Sequence, residues 1–226
     1  MTAGLTTYPE LSQGTPEWLA ARCGLLTASV IGRLLTPTGK IADNETSRGL
    51  GMALIAERIT GRVDDIPMTA SMWRGQEEEP LARDMYSEHH APVDELGFMV
   101  RQFDGCRIGY SPDGLVGDDG LIEIKSRSQK AQVSTIMSGQ VPAANMAQLQ
   151  CGLLVSGRQW IDYVSYSSGM PLWVKRIHPY PDYQATLLAA ARQFEDDAAN
   201  ILDRYRAKVA GLPVADLTPD WTEMSI

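Results

Sequence analysis

Apolar residues recur at helical spacing towards both ends of the chain, which predicts helices there. The first helix opens at Thr15-Pro16-Glu17, because threonine suits the N-cap and proline the first helical position, and it ends at Gly24. A second helix opens at Thr27. The same spacing predicts further helices over residues 47–60, through Trp73, Leu81 and Tyr86, after Pro142, and over about 182–208.

The middle of the chain alternates apolar and polar residues with a period of two, which predicts β-strands. Two alternating segments flank Asp104-Gly105 and read as a hairpin. After a turn over residues 117–120, a third strand carries Leu121-Ile122-Glu123-Ile124-Lys125, and two more strands are predicted over residues 159–167 and 172–179. We expect the first three strands to form a meander in a central mixed sheet flanked by helices, an α/β (α+β) fold.

Two carboxylates and an ammonium group are brought together by this strand pattern. Asp113 lies in the turn Ser111-Pro112-Asp113-Gly114, and Glu123 and Lys125 share one face of the next strand. Burying these charges is costly unless they are paired or bind a cation. Mg²⁺ suits two carboxylates supplemented by water and phosphate oxygens, and the lysine can balance phosphate charge or help to deprotonate water. The alternative is a strand with a surface salt bridge after a tight turn.

Arg22 and Ser29 form a candidate anion site. Ser29 falls in the first turn of the second predicted helix, where free backbone N–H groups favour an anion, and Arg22 lies just before it. The alternative is that Ser29 only begins a helix and that Arg22 is solvated.

Three consecutive glutamates, residues 77–79, lie in the middle of a predicted helix, with Arg83 one turn after Glu79. A charge run of this kind is usually a solvated helix face supported by Glu–Arg pairs four residues apart. One of the three could instead turn inward as a metal or water ligand, and the sequence does not show which.

Length and composition fit one globular domain. The 226 residues, 44% hydrophobic and 21% charged, predict a single domain over residues 1–226, with a core over about 13–210 and a C-terminal arm over 211–226. No apolar run reaches membrane-spanning length, and the N-terminal residues lack the features of a signal peptide, so we expect a cytosolic protein. Three separated cysteines and three histidines do not support a zinc, iron–sulfur or histidine-based site, so any metal should be bound by oxygen.

The net charge of −8 argues against a general polyanion-binding surface. It does not exclude a local basic channel or a metal-assisted phosphodiester site on an acidic protein. The dense basic patch beside the candidate site is Ser126-Arg127-Ser128-Gln129-Lys130.

The order of these motifs resembles the core of the PD-(D/E)-x-K nuclease superfamily. More narrowly, the chain resembles the phage-type alkaline exonuclease and viral recombinase family, which includes the lambda exonuclease and YqaJ types. Four stretches carry the resemblance, in order over roughly residues 13–180: Gly14-Thr15-Pro16-Glu17-Trp18 through Ser29, Trp73-Arg74-Gly75 through Arg83, Ser111-Pro112-Asp113-Gly114-Leu115 with Glu123-Ile124-Lys125, and Met146-Ala147-Gln148-Leu149-Gln150.

The resemblance implies roles for five side chains in catalysis. Asp113 and Glu123 would hold the metal, Mg²⁺ with Mn²⁺ as a possible substitute, and Lys125 would act at the water and the scissile phosphate. Glu79 would complete the carboxylate set, and Gln148 would orient the water. Some relatives have an aromatic residue where this chain has Asn145, so the packing of the helix that carries Gln148 can differ.

The resemblance also implies what the enzyme does. Arg22 and Ser29 would hold the 5′-phosphate of the degraded strand. The expected activity is 5′-to-3′ digestion of one strand of a DNA duplex, leaving a 3′ single strand for recombination. A homotrimeric ring around the duplex, a single-strand annealing protein as partner, and a phage or prophage origin in a bacterial cytosol are implied in the same way. The alternatives are an endonuclease of the same superfamily and a non-catalytic scaffold that loads the annealing protein.

Overall fold

Helices and two β-sheets make up the part of the chain that the computed structural model describes, residues 4–64 and 68–216. The predicted C-terminal arm lies outside the described residues from position 217 onwards. The helices are α1 (Pro16–Arg22), α2 (Ala28–Ile31), α3 (Glu45–Thr60), α4 (Ala70–His89), α5 (Gln129–Ser138), α6 (Ala143–Ser156) and α7 (Pro181–Val209). The strands are β1 (Leu5–Tyr8), β2 (Phe98–Phe103), β3 (Cys106–Tyr110), β4 (Gly114–Val116), β5 (Gly120–Ser126), β6 (Trp160–Tyr166) and β7 (Trp173–Ile177).

The helix ends follow the local sequence signals. The Thr15 side chain caps α1 by accepting from the backbone of Trp18. Asn44 and Ser47 form a reciprocal capping box at the start of α3, which ends at Gly61 in the left-handed conformation (φ 73°). Helix α2 has only four residues, so it is far shorter than the helix predicted to open at Thr27.

The strands form two sheets. The first is antiparallel in the order β1-β2-β3, and the second is mixed in the order β4-β5-β6-β7, with β5 and β6 parallel. The α/β class and the mixed sheet flanked by helices are therefore confirmed.

The predicted three-strand meander is wrong, because β3 and β5 belong to different sheets. The β3 ladder ends at Tyr110, close to Pro112, which has no N–H to continue it. The chain then pairs again as β4 against β5. Strands β1 and β4 and helix α5, which begins inside the predicted basic patch, had no counterpart in the predicted elements.

The alternation along β5 separates two apolar clusters. Ile122 and Ile124 pack with Tyr86 of α4 on one face, and Leu121 faces the main core on the other. That core gathers buried residues of α6, α7 and the first sheet, including Leu149, Leu187 and Ile108. Glu123 therefore faces the side of the sheet that α6 covers, at the edge of the main core. No helix within residues 4–64 and 68–216 combines the length and apolar character needed to span a membrane.

Candidate active site

A cleft of about 370 Å³ lies where the α1–α2 connection, α4, α6 and β5 come together. It is lined by all seven side chains that the sequence singled out: Arg22, Ser29, Glu79, Asp113, Glu123, Lys125 and Gln148. These residues come from segments that are distant in the chain, so their meeting is a property of the fold. The predicted juxtaposition is observed, and the roles of the residues stay predictions.

Glu123 is the centre of the cleft's hydrogen-bond network. Its side chain is 1% exposed, and its Oε1 accepts from Lys125 Nζ at 2.6 Å and from Gln148 Nε2 at 2.5 Å. The hydroxyl of Tyr110 donates to Oε2 at 3.2 Å. The carboxylate therefore has a partner from β3, one from its own strand and one from α6, and these fix its orientation.

Asp113 enters the cleft from the turn between β3 and β4. Its Oδ2 accepts from the backbone N–H of Ile124 at 2.6 Å, which ties the turn to β5 beside Glu123. Burial raises the pKa of Asp113 well above its ordinary value, and repulsion from Glu123 and Glu79 acts in the same direction. The three carboxylates of the site therefore carry more negative charge than the neighbouring cationic side chains neutralise.

Glu79 is the member of the glutamate run that faces the cleft. Glu77 is exposed, and Glu78 accepts from the Ser126 hydroxyl at 2.5 Å. Burial raises the pKa of Glu79, while the Arg83 guanidinium, whose Nη2 lies 2.6 Å from Oε1, opposes that rise. The structure therefore answers the question that the sequence left open, in favour of Glu79.

Arg83 joins three parts of the site, which the sequence did not indicate. Besides Glu79, it contacts the backbone carbonyl of Asp113 through Nε at 2.9 Å and Glu95 through Nη1 at 3.0 Å. The four-residue spacing of Glu79 and Arg83 predicted only the pair on the helix. The contact with Asp113 links α4 to the β3–β4 turn.

The donor set suits a hard divalent cation. In the described part of the chain, Oδ1 of Asp113 accepts no hydrogen bond, so it is available as a ligand beside Glu123. No group of three or more His, Cys, Asp or Glu side chains within residues 4–64 and 68–216 is arranged to hold a metal ion by itself. This is compatible with Mg²⁺, which retains several waters and binds through one or two carboxylates together with substrate phosphates.

Lys125 stays charged in this setting. Burial acts against its ammonium form, but the carboxylates of Glu123 and Asp113 outweigh burial and raise its pKa. A protonated lysine at the cleft can neutralise charge on a phosphate.

Arg22 forms the second part of the cleft. Its Nη2 donates to Ser29 Oγ at 3.3 Å and to Thr27 Oγ1 at 3.4 Å, and its guanidinium lies over the Trp18 ring, 3.9 Å from the centroid. Burial lowers its pKa to about 10, although the charge of Glu57 opposes the change. Arg22 is therefore partly buried and held by hydroxyl groups, and its role as an anion site stays a prediction.

The candidate anion site consists of side chains and not of a helix end. Helix α2 is too short to provide a substantial dipole, so an anion there would be bound by the hydroxyls of Thr27 and Ser29 and by the Arg22 guanidinium. No acid of residues 4–64 or 68–216 forms an ion pair with Arg22. A partly buried cation without a carboxylate partner is a suitable site for a phosphate.

Thr27, Ser111 and Tyr110 are among the hydroxyl residues of the cleft that were not predicted as site residues. Ser111 accepts from Trp18 Nε1 at 2.9 Å and so connects the arginine pocket to the aspartate turn. Its position in the Ser-Pro-Asp-Gly motif could have identified Ser111 as a site residue from the sequence. Nothing in the local pattern marked Tyr110, which reads as an ordinary strand residue.

Comparisons with known proteins identify chains that are similar in sequence and in fold. Residues 17–159 match the family model of the YqaJ-like viral recombinase domain. The crystal structure of the alkaline exonuclease LHK-Exo from Laribacter hongkongensis is 32% identical, with a TM-score of 0.79, and the match covers 88% of this chain and 100% of that one. The complex of LHK-Exo with dAMP matches with a TM-score of 0.78, the same identity and the same coverage.

A more distant structure shares the fold. The phage-related exonuclease from Haemophilus somnus 129PT is 14% identical, with a TM-score of 0.55, over 79% of this chain and 96% of that one. No curated protein matches the chain significantly.

Proposed function

The chain belongs to the YqaJ-like viral recombinase family, and we propose that it is a Mg²⁺-dependent exonuclease that digests one strand of double-stranded DNA from a 5′-phosphorylated end. The exonuclease assignment is supported by the likeness to the alkaline exonuclease LHK-Exo over the whole length of that enzyme. The observation that carries the proposal is the single cleft in which the carboxylates, Lys125 and the Arg22 pocket lie together.

Asp113 and Glu123 would hold the cation, which supplies positive charge to stabilise the phosphate and the leaving oxygen. Lys125 is fixed by Glu123 at 2.6 Å and lines the cleft, so its ammonium group is placed to offset charge that develops on the scissile phosphate. In-line attack by water forms a bond from the water oxygen to this phosphorus while the bond to the leaving oxygen breaks. The leaving oxygen takes up a proton from solvent and the attacking water gives one up.

Gln148 has a defined orientation for handling that water. Because Nε2 donates to Glu123, the amide oxygen is the atom left to accept a hydrogen bond. The attacking water can donate to this oxygen and is thereby oriented towards the phosphate. Glu79 lies across the cleft on α4 as a further acceptor, held by Arg83.

The Arg22 pocket supplies the polarity of digestion. A terminal 5′-phosphate carries more charge than an internal phosphodiester, so it gains more from a guanidinium that has no carboxylate partner. Binding the 5′-phosphate there places a linkage near the 5′ end over Asp113 and Glu123, because both parts belong to one cleft.

The remaining parts of the proposal rest on the family resemblance. They are a product with a 3′ single strand, a ring of three subunits around the duplex, hand-over of the product to a single-strand annealing protein, replacement of Mg²⁺ by Mn²⁺, and action in the cytosol of a bacterium that hosts a phage or prophage.

The test is digestion of a linear duplex labelled at each 5′ end in turn, with and without 5′-phosphate and with and without Mg²⁺. We expect Mg²⁺-dependent release of the 5′ label, faster from phosphorylated ends, and no cleavage of a covalently closed circular duplex. Cleavage of the circle would favour the endonuclease alternative. Absence of any digestion, with retention of the annealing protein in a pull-down, would favour the scaffold.

A further inference from the structure

We propose that Arg58 and Glu195 are positioning residues for the 5′-phosphate pocket, and that they act on Arg22 through the backbone of Gly24. The inference rests on the proposed function, because it assumes that Arg22 receives the phosphate. Arg58 lies on α3 and Glu195 on α7, and neither residue lines the cleft.

Gly24 is the bend that turns α1 towards α2. Its φ of +64° is in the left-handed region that favours glycine, and the next residue, Leu25, donates to the carbonyl of Arg22 at 2.9 Å. The bend brings Arg22, the last residue of α1, back to face Thr27 and Ser29. The distance across the pocket therefore depends on how firmly Gly24 is held.

Two consecutive residues of α3 hold both polar groups of Gly24. Glu57 Oε2 accepts from the Gly24 N–H at 2.7 Å, and Arg58 Nε donates to the Gly24 carbonyl at 2.7 Å. A Cβ atom at position 24 would lie 2.4 Å from Arg58 Cγ, so the bend is packed directly on the arginine. With both groups bound, the peptide planes on either side of Gly24 cannot rotate freely.

Glu195 fixes Arg58 in turn. Its two oxygens each lie 2.8 Å from a terminal nitrogen of Arg58, and both side chains are 23% exposed. The Arg58 guanidinium thus donates from both terminal nitrogens to Glu195 and from Nε to the Gly24 carbonyl. A lysine cannot reproduce this arrangement. A bidentate pair that is largely shielded from water holds its geometry better than an exposed one.

The clamp also keeps a competing acid away from Arg22. Glu57 is close enough to influence the charge of Arg22, yet its carboxylate is engaged by the Gly24 N–H. Among the described residues, Arg22 contacts hydroxyls and not this carboxylate. The clamp of Glu57, Arg58 and Glu195 therefore orients the guanidinium and leaves it available for a phosphate.

The test is Glu195→Gln, assayed on 5′-phosphorylated and 5′-hydroxyl duplexes. We expect the preference for the phosphorylated end to fall on the order of ten-fold, since small misplacements of a binding group cost this much or more. The loss should come from a higher KM on the phosphorylated duplex, with kcat and the rate on the hydroxyl duplex unchanged. Asp203→Asn is the matched control, because it breaks an exposed pair with Arg206 on the same helix, with side chains 77% and 72% exposed.

A second pair of variants tests the other side of the clamp. Glu57→Ala removes the acceptor for the Gly24 N–H and should also lower the preference, whereas Glu57→Gln retains an oxygen acceptor and should preserve it. In an Arg22→Ala background, Glu195→Gln should have no further effect on the preference, because it acts through Arg22.

The outcomes separate the two proposals. Equal rates of the unaltered enzyme on the two duplexes would refute the phosphate pocket, and the positioning role with it. A preference that survives Glu195→Gln and Glu57→Ala, or equal loss of rate on both substrates, would overturn the positioning role and leave the proposed function intact.

Discussion

Replacement of Arg22 by methionine separates the energetics of DNA-end binding from those of folding. In the protein, Nη2 of Arg22 makes two long hydrogen bonds, to Thr27 at 3.4 Å and to Ser29 at 3.3 Å, and an arginine has three further N–H groups to offer a phosphate. A hydrogen bond to a charged group contributes about 1.5–3 kcal/mol. Loss of one such contact lowers the preference for a 5′-phosphorylated end roughly ten- to hundred-fold, at about 1.4 kcal/mol per factor of ten.

The effect of Arg22→Met on stability should be small. The variant loses the cation–π contact with Trp18, worth about 0.5–2 kcal/mol, but it also removes the cost of shielding an unpaired guanidinium from water. These contributions oppose each other, so we expect the free energy of unfolding to change by less than about 1 kcal/mol and the melting temperature by less than about 4 °C.

The assay compares initial rates on 5′-phosphate and 5′-hydroxyl duplexes together with a thermal melt of the free protein. Arg22→Lys is the control that keeps the charge but loses the planar fork, and it should fall between the two other proteins. An unchanged preference in Arg22→Met would refute the assignment of the pocket. A large fall in the melting temperature would refute the energetic argument for an unpaired guanidinium.

Three other expectations follow from the same geometry. Asp113→Asn should abolish cleavage yet raise the melting temperature measured without Mg²⁺. The amide oxygen can still accept from the Ile124 N–H, while the charge of one of three neighbouring acids is removed. A lower melting temperature would contradict this. Lys125→Met should lower the cleavage rate by at least about 100-fold with an unchanged circular dichroism spectrum, and a smaller loss would exclude a direct role at the phosphate. Tyr86→Phe removes a buried hydrogen bond of 2.7 Å to Asp162. It should lower the free energy of unfolding by about 1–3 kcal/mol and the melting temperature by about 2–10 °C, with the preference for a 5′-phosphorylated end retained. An unchanged melting temperature would show that the bond makes no net contribution to stability.

The sequence predicted those features of the fold that depend on interactions between residues close together in the chain. The cap at Thr15 and the alternation that puts Ile122 and Ile124 opposite Glu123 depend on neighbours within a few residues, and both are found in the structure. The glutamate run could not be resolved in this way, since three adjacent helix positions differ only in direction, and the direction of Glu79 is set by how α4 packs.

Contacts between residues far apart in the chain could not be predicted from local sequence patterns. All four residues of β1 are exposed, and the strand exists because it pairs with β2, about ninety positions later in the chain. Arg58 and Glu195 are likewise 137 positions apart, and nothing near either residue marks the other as its partner. Contacts of this kind depend on the assembled fold and on the closure of long loops.

The acidic composition and the proposed DNA-end pocket are compatible because the relevant charge is local. A net charge of −8 argues against a broad basic surface, but a phosphate responds most strongly to the groups within a Debye length. Arg22 is available there because the nearby carboxylate of Glu57 is occupied by the Gly24 N–H, and Lys125 is held towards the cleft by Glu123. We therefore expect the pairing of the acids, more than their number, to decide where this protein binds a phosphate.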